Sequence, residues 1–341
     1  MKINSLTLTN YKKFRGQPKT ISFKENINLI IGNNGIGKTT ILQAISSILG
    51  TATQELKKPS MLKWSGYNYE LIKSARTSPE AELSISFTDS ELASTQDFYR
   101  QVSDTRNVST PPSNEANIVL RLDYEHDTVN AGSSNRFFQF RGYAYAKQLA
   151  VGSSTRNYFD NVGNIFWYTE ERNNTSFKRF LTNGKESSIR DFLVSIYRFH
   201  QRVRYDEIQL REGQKDIFED LSRLYSQVFE GRTLSGTVPR SNPTEAFETD
   251  WFYLSDGTNQ YEVSEMSAGE RAIFPILVDF ANLNINNSIV IIDEIELHLH
   301  PPLQQAFLRA LPKLGHNNQF IITTHSDYVP MITDESQIIR L

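Results

Sequence analysis

The 341-residue sequence contains no cysteine. It therefore has no disulfide framework, no cysteine-ligated zinc site and no thiol catalysis, and a reducing compartment is the expected environment. Its 36 Lys and Arg residues nearly balance its 39 Asp and Glu residues, which gives a net charge of −3. A chain with this balance is not expected to coat nucleic acid through bulk charge, although a local basic surface is compatible with it.

Long apolar runs are also missing from the sequence. Nowhere do about eighteen apolar residues follow one another, and the first residues lack the apolar stretch of a signal peptide. We therefore expect a cytoplasmic protein that does not associate with membranes. The length suits one large α/β domain or two unequal lobes.

The order of secondary-structure elements is clearest at the two ends of the chain. Residues 1–50 predict three short strands and then a helix over Thr39–Leu49, which we expect Gly50 to end. Residues 251–341 predict a hairpin at Asp256 and Gly257, followed by alternating helices and strands. These are a helix over Ala268–Leu283, a strand over Ser288–Ile292, a helix from Pro301 and a strand over Gln319–Thr323. The alternation predicts an α/β sheet whose chemistry lies at the strand ends.

Residues 51–250 have a less regular pattern and predict an inserted α+β lobe. Short strand-like runs, including Phe137–Phe140, are separated by polar segments. Two helices are expected, at Ile189–Arg204 and Gln214–Glu230, and Thr233–Thr249 is expected to be a mobile loop.

The segment Gly32–Thr39 fits the phosphate-loop pattern GxxxxGK[ST] and lies between a predicted strand and a predicted helix. Its glycines allow backbone N–H groups to surround phosphates at the helix N-terminus. Lys38 supplies a positive charge to the β and γ phosphates, and the Thr39 hydroxyl can ligate Mg²⁺. The predicted nucleotide-binding residues of this loop are Asn33, Asn34, Gly35, Gly37, Lys38, Thr39 and Thr40.

Polar residues follow the two buried strands of the C-terminal part. Asp293 and Glu294 end the first, and we expect Asp293 to hold Mg²⁺ together with Thr39 while Glu294 accepts the proton of the attacking water. His325 follows the second strand and can hydrogen-bond the γ-phosphate or that water. Acidic pairs at strand ends also occur as solvated caps, and a lone histidine is often an ordinary surface or core residue. The phosphate loop in the same chain favours the catalytic interpretation.

A fourth motif, Ser264–Arg271, places Ser267 and Gly269 at the start of a helix, where a hydroxyl and free N–H groups face an anion. Ser267 is alternatively a simple N-cap. A second anion site in one chain is redundant if the phosphate loop already holds the nucleotide. It is useful if this helix faces the nucleotide of another copy.

The order of these four motifs resembles ABC-type ATPases of the RecF, SMC and OLD group, and Leu6–Phe14 is similar to their N-terminal segment. The resemblance covers residues 1–50 and 251–341. It implies an α/β fold, an ABC-type P-loop ATPase head, with residues 51–250 inserted as an α+β lobe. It also implies a homodimer with two ATP and Mg²⁺ sandwiched between the heads, in which Ser267 of one subunit contacts the γ-phosphate bound by Lys38 of the other.

Three departures from the family pattern restrict the function. No glutamine-loop residue can be assigned, and no long coiled-coil arms are expected. OLD proteins carry a nuclease domain after the head, whereas only a short segment follows Thr324 here, so any nuclease is expected on another polypeptide. Glu296, His298 and His300 alternate like metal ligands, but this segment recurs in the family beside the acidic pair and no separate metal site is expected.

A basic stretch, Arg136–Lys185, contains eight Lys or Arg and three Asp or Glu. Its interspersed aromatic residues are Phe137, Phe138, Phe140, Tyr143 and Tyr145. Such a stretch can bind DNA or RNA with stacking aromatics, or dock an acidic partner. It can equally be a solvated sheet edge with core aromatics.

The sequence thus predicts an ATP-hydrolysing homodimeric switch that controls a separate effector, for which a nuclease is one candidate. Standalone heads of this kind resemble the ATPase components of bacterial anti-phage defence systems, including Septu-like and retron-associated ones. A RecF-like repair ATPase that binds DNA directly is one alternative. An ATP-bound scaffold with little turnover is another, against which the presence of Glu294 argues, because a scaffold needs no general base.

Overall fold

The structure, a computed structural model, describes residues 1–74, 78–103, 110–150, 157–170, 181–182, 185–186, 189–210, 214–238 and 250–341. The α-helices in these residues are α1 (Lys38–Ala52), α2 (Tyr69–Lys73), α3 (Asp89–Ser103), α4 (Gly142–Ala150), α5 (Ile189–Arg204), α6 (Ile217–Val228), α7 (Ala268–Leu283), α8 (Pro301–Ala310) and α9 (Tyr328–Met331). The β-strands are β1 (Lys2–Thr9), β2 (Lys19–Ser22), β3 (Ile27–Ile31), β4 (Glu80–Ser86), β5 (Asn117–Asp123), β6 (Thr128–Asn130), β7 (Ile165–Tyr168), β8 (Leu181–Thr182), β9 (Lys185–Glu186), β10 (Thr233–Val238), β11 (Trp251–Ser255), β12 (Gln260–Glu262), β13 (Ile289–Ile292), β14 (Gln319–Thr323) and β15 (Ile338–Arg340).

A parallel sheet with the strand order β15-β3-β14-β13-β7 forms the centre of the molecule. Strands β13 and β14 are buried along their whole length, as expected of parallel strands covered on both faces. Alternate side chains serve two hydrophobic clusters, Ile289 and Ile291 on one face and Val290 and Ile292 on the other. The prediction of an α/β sheet is confirmed.

Helix α1 lies against one face of this sheet and under a second, antiparallel sheet with the order β2-β1-β4-β5-β6. Both sides of α1 are therefore buried. The sequence predicted that Gly50 would end this helix, but the helix continues to Ala52. A Cβ at Gly50 would lie 2.9 Å from the Leu56 side chain, so this glycine permits a close approach instead of stopping the helix.

The other face of the central sheet packs against α7, and α6 packs beside α7. A three-stranded sheet, β10-β11-β12, lies next to α5 and α6. The predicted helices Ile189–Arg204 and Ala268–Leu283 are confirmed with the same bounds, and Ile217–Val228 is shorter than predicted.

Two predictions for the middle of the chain are wrong. The aromatic run Phe137–Phe140 is part of a 3₁₀ helix, because Phe140 packs at 5.1 Å from the Phe87 ring and Gln139 donates a hydrogen bond to the Glu115 carbonyl. Residues 233–238 form β10 rather than a loop, and residues 239–249 lie outside the described ranges.

The segment 51–250 contributes to both large sheets. Strand β4 pairs with β1 and β7 pairs with β13, so the sheets contain strands from both sides of the predicted boundaries at residues 50 and 251. The division into head and inserted lobe stays a prediction about folding units. Among the described residues, no helix has the length and apolar character needed to cross a bilayer.

Candidate functional site

The phosphate loop connects β3 to the first turn of α1, as its spacing predicts. Gly37 has φ +120°, a conformation that other residues rarely adopt, and its Cα lies against the Phe14 ring, where a Cβ would come within 3.0 Å. Gly35 also has a positive φ, +76°. These two glycines let the loop turn tightly at the N-terminus of α1, where backbone N–H groups have no partner within the helix.

Lys38 points back across the loop. Its Nζ donates to the Gly32 carbonyl at 2.6 Å and to the Asn33 carbonyl at 3.4 Å. Burial lowers the pKa of Lys38, and the negative charges of Glu296 and Asp293 oppose that shift. The Lys38 Nζ therefore lies inside the loop and faces the carboxylates at the end of β13.

Asp293 and Thr323 meet because β13 and β14 are parallel neighbours that end at the same edge. The Thr323 hydroxyl donates to Asp293 Oδ1, and Thr39 Oγ1 donates to the same oxygen at 3.4 Å. Burial raises the pKa of Asp293 to about 6, which the Thr323 hydrogen bond opposes. A threonine hydroxyl and a carboxylate are oxygen donors of the kind that Mg²⁺ takes in proteins, so these residues fit a magnesium site.

Glu294 lies next to Asp293 in a left-handed conformation, with φ +49°, which is unusual for a non-glycine residue and common at functional sites. Its backbone N–H donates to Thr323 Oγ1 at 2.9 Å. Its Oε1 is 3.4 Å from His325 Nε2, and both side chains are about one third exposed.

His325 bridges the phosphate loop and the acidic pair. Its Nδ1 is 3.1 Å from Lys38 Nζ. Since an ammonium group only donates, Nδ1 must accept, and Nε2 carries the proton that faces Glu294. The structure thus brings together Lys38, Thr39, Asp293, Glu294 and His325, which the sequence placed in three separate motifs.

Glu296 orients His325 rather than joining the neighbouring histidines. It accepts from the His325 backbone N–H and, at 2.7 Å, from Thr324 Oγ1. His298 and His300 are exposed. In the part of the chain that the structure describes, no three His, Asp or Glu side chains form a group that could hold a metal ion.

Ser267 is the N-cap of α7 and takes part in a capping box. Its Oγ accepts from the Glu270 N–H at 3.2 Å, and its own N–H donates to Glu270 Oε2 at 2.9 Å. Gly269 is buried against α8, where a Cβ would lie 2.8 Å from Leu303. The N-cap prediction is confirmed, and contact between Ser267 and a second copy's nucleotide stays a prediction.

Sequence reasoning missed Glu170, which follows β7 at the same edge of the sheet. Its Oε2 accepts from Trp64 Nε1 at 3.1 Å, and its charge contributes to the raised pKa of Asp293. The sequence did not place β7 beside β13, so nothing linked Glu170 to the acidic pair.

Sequence reasoning also missed a cavity of about 950 Å³ beside the start of α1. Its charged lining comes from Lys12, Lys13 and Arg15, and Thr40 of the phosphate loop borders it. Asn10 and Lys12 both have left-handed backbone conformations. The basic lining suits an anionic ligand that extends from the phosphate loop.

Of the five aromatic residues named in the basic stretch, three are buried and two, Phe137 and Phe138, are half-buried. Phe140, Tyr143 and Tyr145 are buried in the core and so cannot stack on bases. Arg136 pairs with Glu115 at 2.6 Å, and Lys147 lies 4.9 Å above the Tyr143 ring. The described residues favour core aromatics over a stacking surface, and Arg156 lies outside the described ranges. Binding of DNA or of an acidic partner here stays a prediction.

Retron and Septu proteins are among the curated proteins that match nearly the whole chain. The Retron Vc95 probable ATPase of Vibrio cholerae serotype O1 biovar El Tor is 23% identical, over 99% of this chain and 73% of that protein. The Septu protein PtuA of Bacillus thuringiensis is 22% identical, over 94% of this chain and 71% of that protein.

Among solved structures, the SMC head bound to the C-winged helix domain of ScpA superposes with a TM-score of 0.56 at 18% identity, over 100% of this chain and 94% of that chain. The fold is thus that of an ABC-type ATPase head, as the motifs predicted. The family described as "AAA domain, putative AbiEii toxin, Type IV TA system" matches residues 27–331. This match includes the phosphate loop, both strand ends and the helix that Ser267 caps, and the chain belongs to that family.

Proposed function

We propose that this chain is an ATPase that acts as a homodimeric switch, closing on ATP and opening after hydrolysis, and so controls a separate effector in anti-phage defence. One observation carries the catalytic part. Lys38, Glu294 and His325, from three distant parts of the sequence, form a continuous set of contacts at one edge of the central sheet.

The phosphate loop binds the triphosphate in this proposal. Its backbone N–H groups and Lys38 compensate the phosphate charge, and Lys38 exchanges its carbonyl partners in the loop for phosphate oxygens. Thr39 and Asp293 would hold magnesium, which when bound neutralises charge on the β and γ phosphates. The cavity lined by Lys12, Lys13 and Arg15 accommodates the rest of the nucleotide.

Glu294 is the general base. Its carboxylate accepts the proton of the attacking water, while His325, whose Nε2 lies 3.4 Å from Glu294 Oε1, keeps that carboxylate in position. Glu296 fixes the backbone of His325 and therefore acts through it. The presence of Glu294, supported by His325 and Glu296, favours an enzyme that hydrolyses ATP over a scaffold that binds ATP with little turnover.

The dimeric part rests on Ser267 and the resemblance to head ATPases. The N-terminus of α7 is exposed, and a helix N-terminus can bind an anion. A nucleotide held by the phosphate loop of the same chain does not require this second anion site. In a two-fold dimer it would meet the nucleotide of the other copy. The retron and Septu names of the relatives support the assignment to defence.

The experiment compares Glu294→Gln with wild type in ATP turnover, ATP affinity and molar mass. The amide keeps the size of the side chain but cannot accept the proton, so we expect affinity within about twofold, turnover at least ~100-fold lower and a dimer that persists with ATP. Glu125→Gln, at an exposed position, is the matched control. Wild-type turnover by Glu294→Gln would exclude Glu294 as the base, and a wild-type protein that hydrolyses ATP as a monomer would exclude the dimeric switch.

A further inference from the structure

The segment 262–270, here called the capping turn, contains two capping boxes in succession. In the first, Glu262 accepts from the Ser264 N–H at 2.9 Å and donates its own N–H to Glu265 at 2.9 Å. In the second, Ser267 and Glu270 exchange the same pair of bonds. The conformation of Ser267 therefore depends on two carboxylates, Glu262 before it and Glu270 after it.

Each of these carboxylates is bound by an arginine from the middle of the chain. Arg190 of α5 donates two bonds to Glu262, at 2.7 and 3.1 Å, and its guanidinium lies 4.6 Å from the Trp251 ring centroid. Arg232, just before β10, lies 2.7 Å from Glu270 Oε1. The Glu262 and Glu270 side chains are only 9% and 2% exposed, so both carboxylates depend on protein groups for their stabilisation.

Glu270 is the more completely enclosed of the two. Besides Arg232, its Oε1 accepts from the hydroxyls of Tyr225 and Tyr261, whereas Oε2 accepts from the Ser267 N–H. Burial alone would raise the pKa of Glu270, but the hydrogen bonds from Arg232 and the two tyrosines lower it to about 2. Arg232 is the nearby positive charge that compensates this ionised carboxylate.

We infer that Arg232 and Arg190 are positioning residues for Ser267, which hold the capping turn in the geometry that contacts the second copy's nucleotide. This inference rests on the proposed function, because it gives Ser267 a task between subunits. Without Arg232, a buried carboxylate would lose its counter-charge and turn toward water, which would release the Ser267 N–H and loosen the first turn of α7. Arg190 and Arg232, which lie outside the four motifs, thus control the shared site, meaning the nucleotide site formed by the phosphate loop of one subunit and Ser267 of the other.

The first experiment measures ATP affinity, kcat and thermal unfolding for Arg232→Ala and Arg232→Lys. Because the phosphate loop is untouched, we expect affinity within about twofold, kcat at least ~10-fold lower for the alanine variant and partial recovery with lysine, which keeps the charge. Arg198→Ala is the control, since it removes an exposed ion pair to Asp250 from the same part of the chain. Wild-type kcat for Arg232→Ala would overturn the inference.

The second experiment mixes variants under conditions where heterodimers form. Lys38→Ala with Ser267→Arg should recover partial activity, because one composite site then carries both changes and the other is intact. Arg232→Ala should recover with Lys38→Ala but not with Ser267→Arg, since Arg232 and Ser267 serve the same half of the site. A globally unfolded Arg232→Ala subunit would not recover with either, and the melting curve would show it.

The outcomes separate the two proposals. If Lys38→Ala and Ser267→Arg do not complement each other in proven heterodimers, the shared site is wrong, and the inference falls with it. If they complement each other but Arg232→Ala recovers with Ser267→Arg, or fails to recover with Lys38→Ala, only the positioning role is wrong. In that case the ion pair between Arg232 and Glu270 merely stabilises the fold.

Discussion

The edge of the central sheet and the capping turn are both sites of predicted contact with ATP, but they are built differently. At the sheet edge the functional residues contact one another directly, as His325 does with Lys38 and Glu294. At the capping turn Ser267 is held by Glu270, which is in turn held by Arg232. The functional residues of the sheet edge all belong to the sequence motifs, whereas the capping turn depends on Arg232, which no motif contains.

The largest effect is expected from Lys38→Ala at the sheet edge. Lys38 is the side-chain cation of the phosphate loop, and its loss leaves phosphate charge uncompensated. We expect ATP affinity at least ~100-fold weaker by isothermal titration with Mg²⁺. Lys24→Ala, at an exposed position, should bind normally. Unchanged affinity of the Lys38 variant would remove this residue from the nucleotide site.

A smaller effect at the same edge is expected from Glu296→Gln. Thr324 and the His325 backbone N–H donate to different oxygens of Glu296, and in glutamine one of these oxygens becomes an NH2 group that cannot accept, so one of the two bonds is lost. We expect kcat to fall about tenfold, with ATP affinity nearly unchanged, because Glu296 acts through His325. Steady-state kinetics measure kcat for Glu296→Gln and for the control Glu335→Gln, which changes an exposed carboxylate. Equal loss in both variants would contradict the positioning role.

The sheet edge could be predicted from the sequence because its residues are fixed by local spacing. A phosphate loop must lie between a strand and a helix, and residues that end parallel neighbours, such as Asp293 and Thr323, must share an edge. The α/β class followed from the alternation of strands and helices, and helix α7 from its apolar periodicity, whereas the ABC-type head was implied by the resemblance of the motifs.

The supports of both sites could not be predicted, since they depend on which distant segments pack together. Glu170 is close to Asp293 only because β7 pairs with β13, and Arg232 reaches Glu270 only because α6 packs on α7. Gly50 is a single residue whose role also could not be predicted, because that role depends on tertiary packing. Its sequence signal is a helix stop, whereas the contact with Leu56 makes it a packing residue within the helix.

The pH dependence of stability tests the capping turn. The pKa of Glu270 is about 2 in the folded chain against an ordinary value of 4.5, so ionised Glu270 stabilises the fold above pH 4.5 and this contribution is lost as the pH falls toward 2. The difference corresponds to about 3 kcal/mol. Thermal unfolding of wild type and Glu270→Gln should therefore differ most near neutral pH and converge in acid. A constant difference across this range would show that Glu270 is not held as a carboxylate.

The smallest effect is expected at an ion pair that resembles Arg232 and Glu270 in chemistry but not in burial. Arg121 and Glu82 lie 2.7 Å apart on neighbouring strands of the antiparallel sheet, with side chains 70% and 42% exposed. Water already solvates both groups, so Arg121→Ala leaves no uncompensated buried charge and should change stability by less than about 1 kcal/mol. Thermal unfolding at neutral pH and in 1 M salt should show nearly the same midpoint for this variant and wild type. A loss as large as that of Arg232→Ala would mean that ion pairs stabilise this fold regardless of burial, and the special role assigned to the capping turn would then lack its physical basis.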